Sequence, residues 1–335
     1  MKVLVTGSAG FIGTAVLRRL DDLGHSATGY DRQTDPADEL IDLRRLRAAI
    51  RGQDAIIHLA AKVGLGVNLS DLDGYARDND LGTAVLLRAA AEESVRRVVL
   101  ASSMVVYGEG RARCPEHGTM PVPPRATADL ACGRFEPRCA ACGSELQPHL
   151  VTEEARLDPR NGYAATKVQL EQFARIWARE SGGTAIALRY HNVYGPGLPR
   201  DTPYAGVAAI FRSTLAAGRP PRVFEDGRQR RDFVHVDDVA AATVAALECQ
   251  PEQGFTALNV GSGRVTTIGE VARRMAMIMD GPEPVITGDY RLGDVRHITA
   301  DSSAARTLLH WSPQVDLDAG LRTLQHPTCQ HQKAL

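Results

Sequence analysis

Met1-Lys2-Val3-Leu4-Val5-Thr6-Gly7-Ser8-Ala9-Gly10-Phe11-Ile12-Gly13 opens the chain, and its reading decides the fold. Val3, Leu4 and Val5 make a short continuous apolar run, the pattern of a strand buried on both faces. Gly7, Gly10 and Gly13 follow, with an amphipathic stretch from Phe11 to Leu23. The order is strand, glycine turn, helix. Gly7 permits the tight turn, Gly10 lets backbone approach a pyrophosphate, and Gly13 seats the helix against the strand. The open N–H groups where the helix starts, at Phe11 and Ile12, then meet the phosphates. A second strand, Ser26 to Tyr30, ends in Asp31, at the distance where an acid takes the adenosine ribose hydroxyls of a dinucleotide. Asp31 repels a 2′-phosphate, so the pattern reads NAD rather than NADP. Arg32, beside it on the cofactor side, weakens that preference.

Working outward, strand and helix alternate as far as Ser103. The expected strands are Lys2–Thr6, Ser26–Tyr30, Ala55–Leu59 and Arg97–Ala101, and the expected helices Phe11–Leu23, Leu40–Arg51 and Asn79–Glu93. Such alternation predicts an α/β fold, a doubly wound parallel sheet with helices on both faces and a ligand groove past the carboxyl ends of the strands. Small or polar residues gather at those ends: Gly7, Asp31, His58-Leu59-Ala60-Ala61 and Ser102-Ser103. Arg111–Asp158 breaks the alternation with a stretch rich in Pro, Cys, Arg and Gly. A helix at Tyr163–Arg179 and a strand at Thr184–Arg189 resume it. Helices at Val207–Ala217, Asp237–Glu248, Ile268–Met279 and Ala304–Leu309, with short strands at Arg222–Phe224 and Ala257–Val260, predict a smaller C-terminal α/β lobe. The expected domains are a dinucleotide-binding domain over 1–190, carrying the insertion 111–158, an interwoven lobe over 191–324, and a loose tail over 325–335.

The 335 residues are 44% hydrophobic, with a formal net charge of −1. That length buries a sizeable core, and the near-neutral charge gives no reason to invoke nucleic acid or a membrane surface. No apolar run is long enough to span a bilayer, and the first strand at residue 2 leaves no room for a signal peptide; the expectation is a cytoplasmic protein.

Tyr163 and Lys167 stand four apart at a helix start, which puts phenol and ammonium on one face. A lysine beside a tyrosine favours the phenolate, so the tyrosine works as a base nearer neutral pH. Ser103 closes the preceding strand in Ser102-Ser103-Met104-Val105-Val106-Tyr107-Gly108. A serine hydroxyl, a tyrosine and a bound nicotinamide make a hydride-transfer site.

With these motifs the chain resembles the extended short-chain dehydrogenase/reductases of the NAD-dependent epimerase/dehydratase kind. The resemblance also covers Asn79-x-x-Gly82-Thr83, Arg189-Tyr190-x-Asn192-Val193-Tyr194-Gly195-Pro196, Arg231-Asp232-Phe233-Val234-His235-Val236-Asp237-Asp238 and Arg291-x-Gly293-Asp294. It implies that Tyr163 takes the proton of the sugar C4 hydroxyl. Lys167 binds the nicotinamide ribose and lowers the tyrosine pKa, and Ser103 steadies the 4-keto sugar. Asp31 holds the adenosine ribose, and Asp42 and Leu43 contact adenine. Leu59, Ala60, Ala61, Asn79, Ser102 and Tyr190 complete the NAD site. For the nucleotide sugar it implies Asn192 and Arg231, with Arg291 on the diphosphate, Asp294 on the nucleoside ribose, and Met104, Val207 and Phe224 around them. It further implies a homodimer through the helices near Asn79–Glu93 and Tyr163–Arg179.

Dehydratases of this family carry Asp-Glu after the active hydroxyl residue; here Met104 and Val105 stand there and cannot move protons. The expected reaction is therefore 4-epimerisation of a UDP-sugar. Arg200, in Gly197–Tyr204, offers a charged hydrogen bond to a C6 carboxylate, which suits UDP-glucuronate exchanging with UDP-galacturonate. The chain is similar in this to UDP-glucuronate 4-epimerases of antibiotic pathways, moenomycin assembly among them. UDP-glucose/UDP-galactose exchange, a net reductase, and a non-catalytic NAD-binding sensor or scaffold are the alternatives.

Six cysteines are present, four of them within the insertion. Cys114-Pro115-Glu116-His117-Gly118 and Cys139-Ala140-Ala141-Cys142-Gly143 read as two knuckles of a zinc ribbon, each followed by glycine, wrapping one structural ion. Cys132 between them reads as a bystander, or as a substitute if His117 is not a ligand. The other reading is unmetallated thiols in a mobile insertion.

Overall fold

The computed structural model describes residues 1–64, 69–199, 206–251 and 254–325. Six strands lie parallel in one sheet, in the order Phe255–Val260, Thr184–Tyr190, Arg97–Ser103, Ala55–His58, Lys2–Thr6, Ser26–Tyr30. The period of two along Lys2–Thr6 sends Val3 and Val5 to one face and Leu4 to the other. The first face is covered by Phe11–Asp22 and Val236–Glu248, through Val16, Leu20, Val239 and Leu247. The second is covered by Leu43–Ile50, Gly82–Glu92 and Gly162–Ser181, through Leu46, Leu86 and Trp177. Both faces are dry over residues 3–6 and Ala55–His58, which is why these strands read as apolar runs, whereas the edge strand Ser26–Tyr30 is exposed except at Tyr30.

From Lys2–Thr6 the chain first steps one way, to Ser26–Tyr30, then the other way, to Ala55–His58. The crevice opens at that reversal. A Cβ on Gly7, whose φ is +70°, would lie 2.6 Å from the backbone nitrogen of Ala60, so only glycine lets the two strand ends close together.

The interweaving of the lobe takes a definite form. Val236–Glu248 and Phe255–Val260 return to complete the first layer, while Asn192–Tyr194, Arg230–His235 and Val265–Thr267 form a separate three-stranded sheet. These three short strands escape the sequence reading because they fall inside motifs or loops. Helices Val207–Ala216, Ile268–Ile278 and Leu317–Arg322 pack against that sheet around Phe211, Phe233, Val271 and Met275.

Two helix starts differ from expectation by more than two residues. The helix expected from Leu40 begins at Leu43, because the Asp42 carboxylate accepts hydrogen bonds from the amides of Arg44 and Arg45 and caps it. The helix expected from Asn79 is preceded by helical turns from Leu69 and has a π-helical stretch at Ala76–Leu81. The insertion is not patternless: Arg111–Cys114, Gly118–Met120 and Gln147–His149 form a small antiparallel sheet, with a helical turn at Thr127–Ala131. Among the described residues no helix is long and apolar enough to cross a membrane.

Candidate active site

The cofactor groove starts at the helix Phe11–Asp22. Its N-cap is Gly10, no side chain caps it, and its first turn holds no acid, so its leading amides are free for an anion. A Cβ on Gly13 would collide with the carbonyl oxygen of Gly7, so helix and turn are in closest contact. Asp31 braces the loop, accepting from Ala9 N at 3.0 Å and Gln33 N at 2.8 Å. An uncapped helix start, a backbone cradle with no room for side chains, and a carboxylate beside it fit a dinucleotide such as NAD. Arg32 turns away to Asp78, at 3.2 Å, so it is already paired rather than waiting for a 2′-phosphate.

His58 closes its strand with both ring nitrogens engaged, Nδ1 2.8 Å from Thr6 Oγ1 and Nε2 3.0 Å from Thr83 Oγ1. Burial, aided by the charge of Lys167, pushes its pKa down to about 3, so it is a neutral strut between two strand ends and a helix. Past it, the Leu59-Ala60-Ala61 backbone forms the groove's other rim.

Gly162–Ser181 carries Tyr163 and Lys167, the residues expected to react. Asn161 caps it by accepting from Ala164 N at 2.8 Å, which sets Tyr163 and Lys167 in its first two turns. Tyr163 is half-buried, its ring tilted against Tyr75 at 6.1 Å. Burial raises its pKa to about 12, Tyr75 adds to the rise, and a hydrogen bond with Ser103 pulls it down. Lys167 is buried, and burial lowers its pKa to about 8 although Glu171 opposes the change. Its ammonium donates to the carbonyl of Ala101 at 2.7 Å and lies 5.8 Å from the Tyr163 ring centroid. The hydrogen bond with Ser103 is thus an influence that lowers the phenol pKa, beside the ammonium expected to do so.

Three residues expected on the cofactor have their side chains engaged elsewhere. Asn79 accepts from Lys62 N and donates to Lys62 O and to Thr166 Oγ1, clasping the groove rim to the helix Gly162–Ser181. Ser102 donates to Glu171 at 2.5 Å on the inner side of the sheet. Tyr190 pairs with Thr243 at 2.8 Å in the core. Alternation along a strand explains the last two: where one residue faces the groove, its neighbour faces away.

The residues expected on the substrate come together. Asn192, Val207, Phe224, Arg231, Arg291 and Asp294 all line one cavity of about 890 Å³ in the C-terminal lobe. The guanidinium of Arg291 lies 5.0 Å from the Phe224 ring centroid. Arg231 is steered by the carbonyls of Val295, at 2.6 Å, and Arg296, at 3.0 Å. The carbonyl oxygen of the Asn192 side chain is buried with no hydrogen-bond partner among the described residues. Met104 packs instead with Val106 and Tyr107 beside Ser103. Arg200 lies outside the described residues. Sequence reasoning missed Glu225 and Gln229 in the cavity lining, since neither falls in a motif.

The profile of the NAD dependent epimerase/dehydratase family matches residues 3–128 and 139–261. The chain belongs to this family. Among its relatives is a dTDP-L-rhamnose 4-epimerase of Burkholderia thailandensis, 33% identical, with 97% of this chain and 94% of the relative covered. UDP-glucose 4-epimerase of Thermotoga maritima, solved with UDP-glucose, superposes with a TM-score of 0.79 at 27% identity over 97% of both chains. MoeE5, solved with UDP-glucuronic acid and NAD, gives 0.76 at 29% identity over 96% of this chain and 97% of its own. Family membership makes the chain an enzyme built around NAD, in keeping with the uncapped helix and Asp31.

Proposed function

We propose that the protein is a 4-epimerase of UDP-sugars, with UDP-glucuronate and UDP-galacturonate as its pair. The observation that carries the reading is one groove with Ser103, Tyr163 and Lys167 at its carboxyl-end rim and an arginine-lined cavity in the neighbouring lobe. NAD, held at the uncapped start of Phe11–Asp22 and beside Asp31, would supply a reversible hydride acceptor at the sugar C4 with no net redox change. Tyr163 Oη takes the proton of the C4 hydroxyl and gives it back. Ser103 shares a hydrogen bond with that phenol and keeps its proton affinity within reach of the reaction. Lys167 is fixed by Ala101 O, so its charge stays beside the ring. Arg231 and Arg291 meet the diphosphate, and Asp294 meets the nucleoside ribose. Met104 and Val105 supply neither acid nor base for loss of water, so the 4-keto sugar turns over and is reduced on its other face.

Arg200 supports a C6 carboxylate; MoeE5, solved with UDP-glucuronic acid and also with UDP-glucose, suits both this pair and the alternative pair, UDP-glucose with UDP-galactose. The dTDP-L-rhamnose 4-epimerase relative favours a second reading, a dTDP-deoxysugar. Purified protein given UDP-glucuronate, UDP-glucose and dTDP-L-rhamnose separately, without added reductant, decides among them by chromatography of the C4 epimers. UDP-galacturonate is the expected product, and absence of a C4 epimer from all three overturns the reading. Equal loss on UDP-glucuronate and UDP-glucose in Arg200→Ala removes the carboxylate argument. We also infer a homodimer through Gly82–Glu92 and Gly162–Ser181, near which Leu81 and Ile176 are exposed; a monomeric mass by light scattering overturns it. The cysteine and histidine cluster stands apart from this chemistry, because four protein ligands leave no coordination position for a substrate.

A further inference from the structure

We propose that Cys114, His117, Cys139 and Cys142 bind one zinc ion, and that the ion fastens the wall of the nucleotide-sugar cavity through Arg125 and Glu136. The second half rests on the cavity reading above; the first does not.

The four ligand atoms converge from two knuckles. His117 Nδ1 lies 3.4 Å from Cys114 Sγ and 3.6 Å from Cys139 Sγ, Cys114 Sγ lies 3.6 Å from Cys142 Sγ, and all four atoms fall within 4.8 Å of one another. Zinc–sulfur bonds of about 2.3 Å and a zinc–nitrogen bond of about 2.0 Å make tetrahedral edges of roughly 3.5–3.8 Å, close to these separations. Gly118 and Gly143 follow the second ligand of each knuckle with φ of +72° and +75°, and nothing lies within 4 Å of a Cβ on either. Glycine is there for the left-handed turn, the same in both, and not for lack of room. The thiols are free, and Cys132 is outside the cluster. The cluster at the insertion's centre is small: Ala112, Cys114, Val122, Cys139 and Leu146, with Met120 against it. Two of these are ligands, so the module depends on a cross-link to hold its shape.

From this module two side chains reach the substrate lobe. Arg125 donates to Glu225 at 2.7 Å and to the carbonyl of Asp294 at 2.6 Å, and both residues line the cavity. Glu136, three residues before Cys139, accepts from Arg296 at 2.5 Å and pairs with His297 at 2.7 Å. Arg296 is buried and also bonds Glu225 and Asp226. The carbonyls of Val295 and Arg296 in turn hold Arg231. Arg125 and Glu136 are thus positioning residues: they set the 291–297 segment and never touch the reacting atoms.

Tag-free protein is assayed for metal by mass spectrometry, and one zinc per chain is expected. UDP binding, followed by calorimetry, should weaken roughly ten- to a hundredfold on chelation. Bound NAD should be retained, and added zinc should restore affinity. Glu136→Gln should keep its zinc and raise KM by a similar factor with kcat little changed, whereas a purely structural role would lower yield without that split. Cys139→Ser should lose the metal; if it does not fold, the chelated native protein carries the comparison. No stoichiometric zinc, or a disulfide among the four residues, overturns the site. Zinc that is removed without effect on UDP binding overturns the fastening. A native protein that binds neither UDP nor dTDP overturns the cavity reading and the fastening with it, and leaves the metal count to decide the site alone.

Discussion

Tyr163 meets opposing influences. Burial lifts its pKa to about 12, and the hydrogen bond with Ser103 acts against that lift. A base held high gains activity as pH rises, so removing the stabilising bond moves the rising limb further up. In Ser103→Ala the ascending limb of kcat/KM against pH should shift to higher pH, beyond any fall in its plateau; an unmoved limb would show that Ser103 acts only on the sugar. Tyr163→Phe should abolish turnover while the cofactor stays bound, which absorbance of the purified protein reads directly. At Gly13 a methyl group meets the carbonyl of Gly7. Gly13→Ala should therefore lose bound NAD, and a variant that keeps it would refute the close helix–turn contact.

Among the elements, the link between insertion and lobe is electrostatic. Burial works to raise the Glu136 pKa, but hydrogen bonds from His297 and Arg296 outweigh it and hold the carboxyl at about 2, against an ordinary 4.5. A lowered folded value adds stability that is fully present above about pH 4.5 and drains away as the pH falls toward 2. Glu136→Gln should melt earlier than the native chain at pH 7, and the gap should close as the pH drops through that window; a pH-independent gap would mean lost packing instead. The legible elements were those with strong periodicity. The Val3-Leu4-Val5 run, the glycine turn and the Tyr163/Lys167 helix all stand in the expected places because each follows from local pattern alone. The short strands Asn192–Tyr194 and Arg230–His235 were not legible, since their pairing joins residues far apart in the chain. The direction of Ser102 and Tyr190 was lost for a related reason: a motif fixes a position, whereas the pleat decides which neighbour faces the groove.

Over the whole molecule, the helix Gly162–Ser181 is tied to the sheet by a buried pair. Glu171 takes Arg189 through two bonds, at 2.9 and 2.7 Å, and Ser102 through a third. Arg189 continues to Tyr107 at 2.7 Å, and Tyr107 to Asn259 at 2.8 Å, so the chain of bonds crosses from helix to the edge strand. Glu171→Ala leaves the guanidinium buried without its partner and should cost about 3–5 kcal/mol, seen in denaturant melts. Replacing Glu171 and Arg189 together by apolar residues should cost far less; equal costs would refute the pairing argument.

The insertion departs from the chain after Ser103 and returns before Tyr163, yet the two hydroxyls do not rely on it for their spacing. Strand and helix are already bolted together by Lys167 on Ala101 and Ser102 on Glu171. That junction holds the strand end and the helix start in register by itself, so the length of the module spliced between them does not set it.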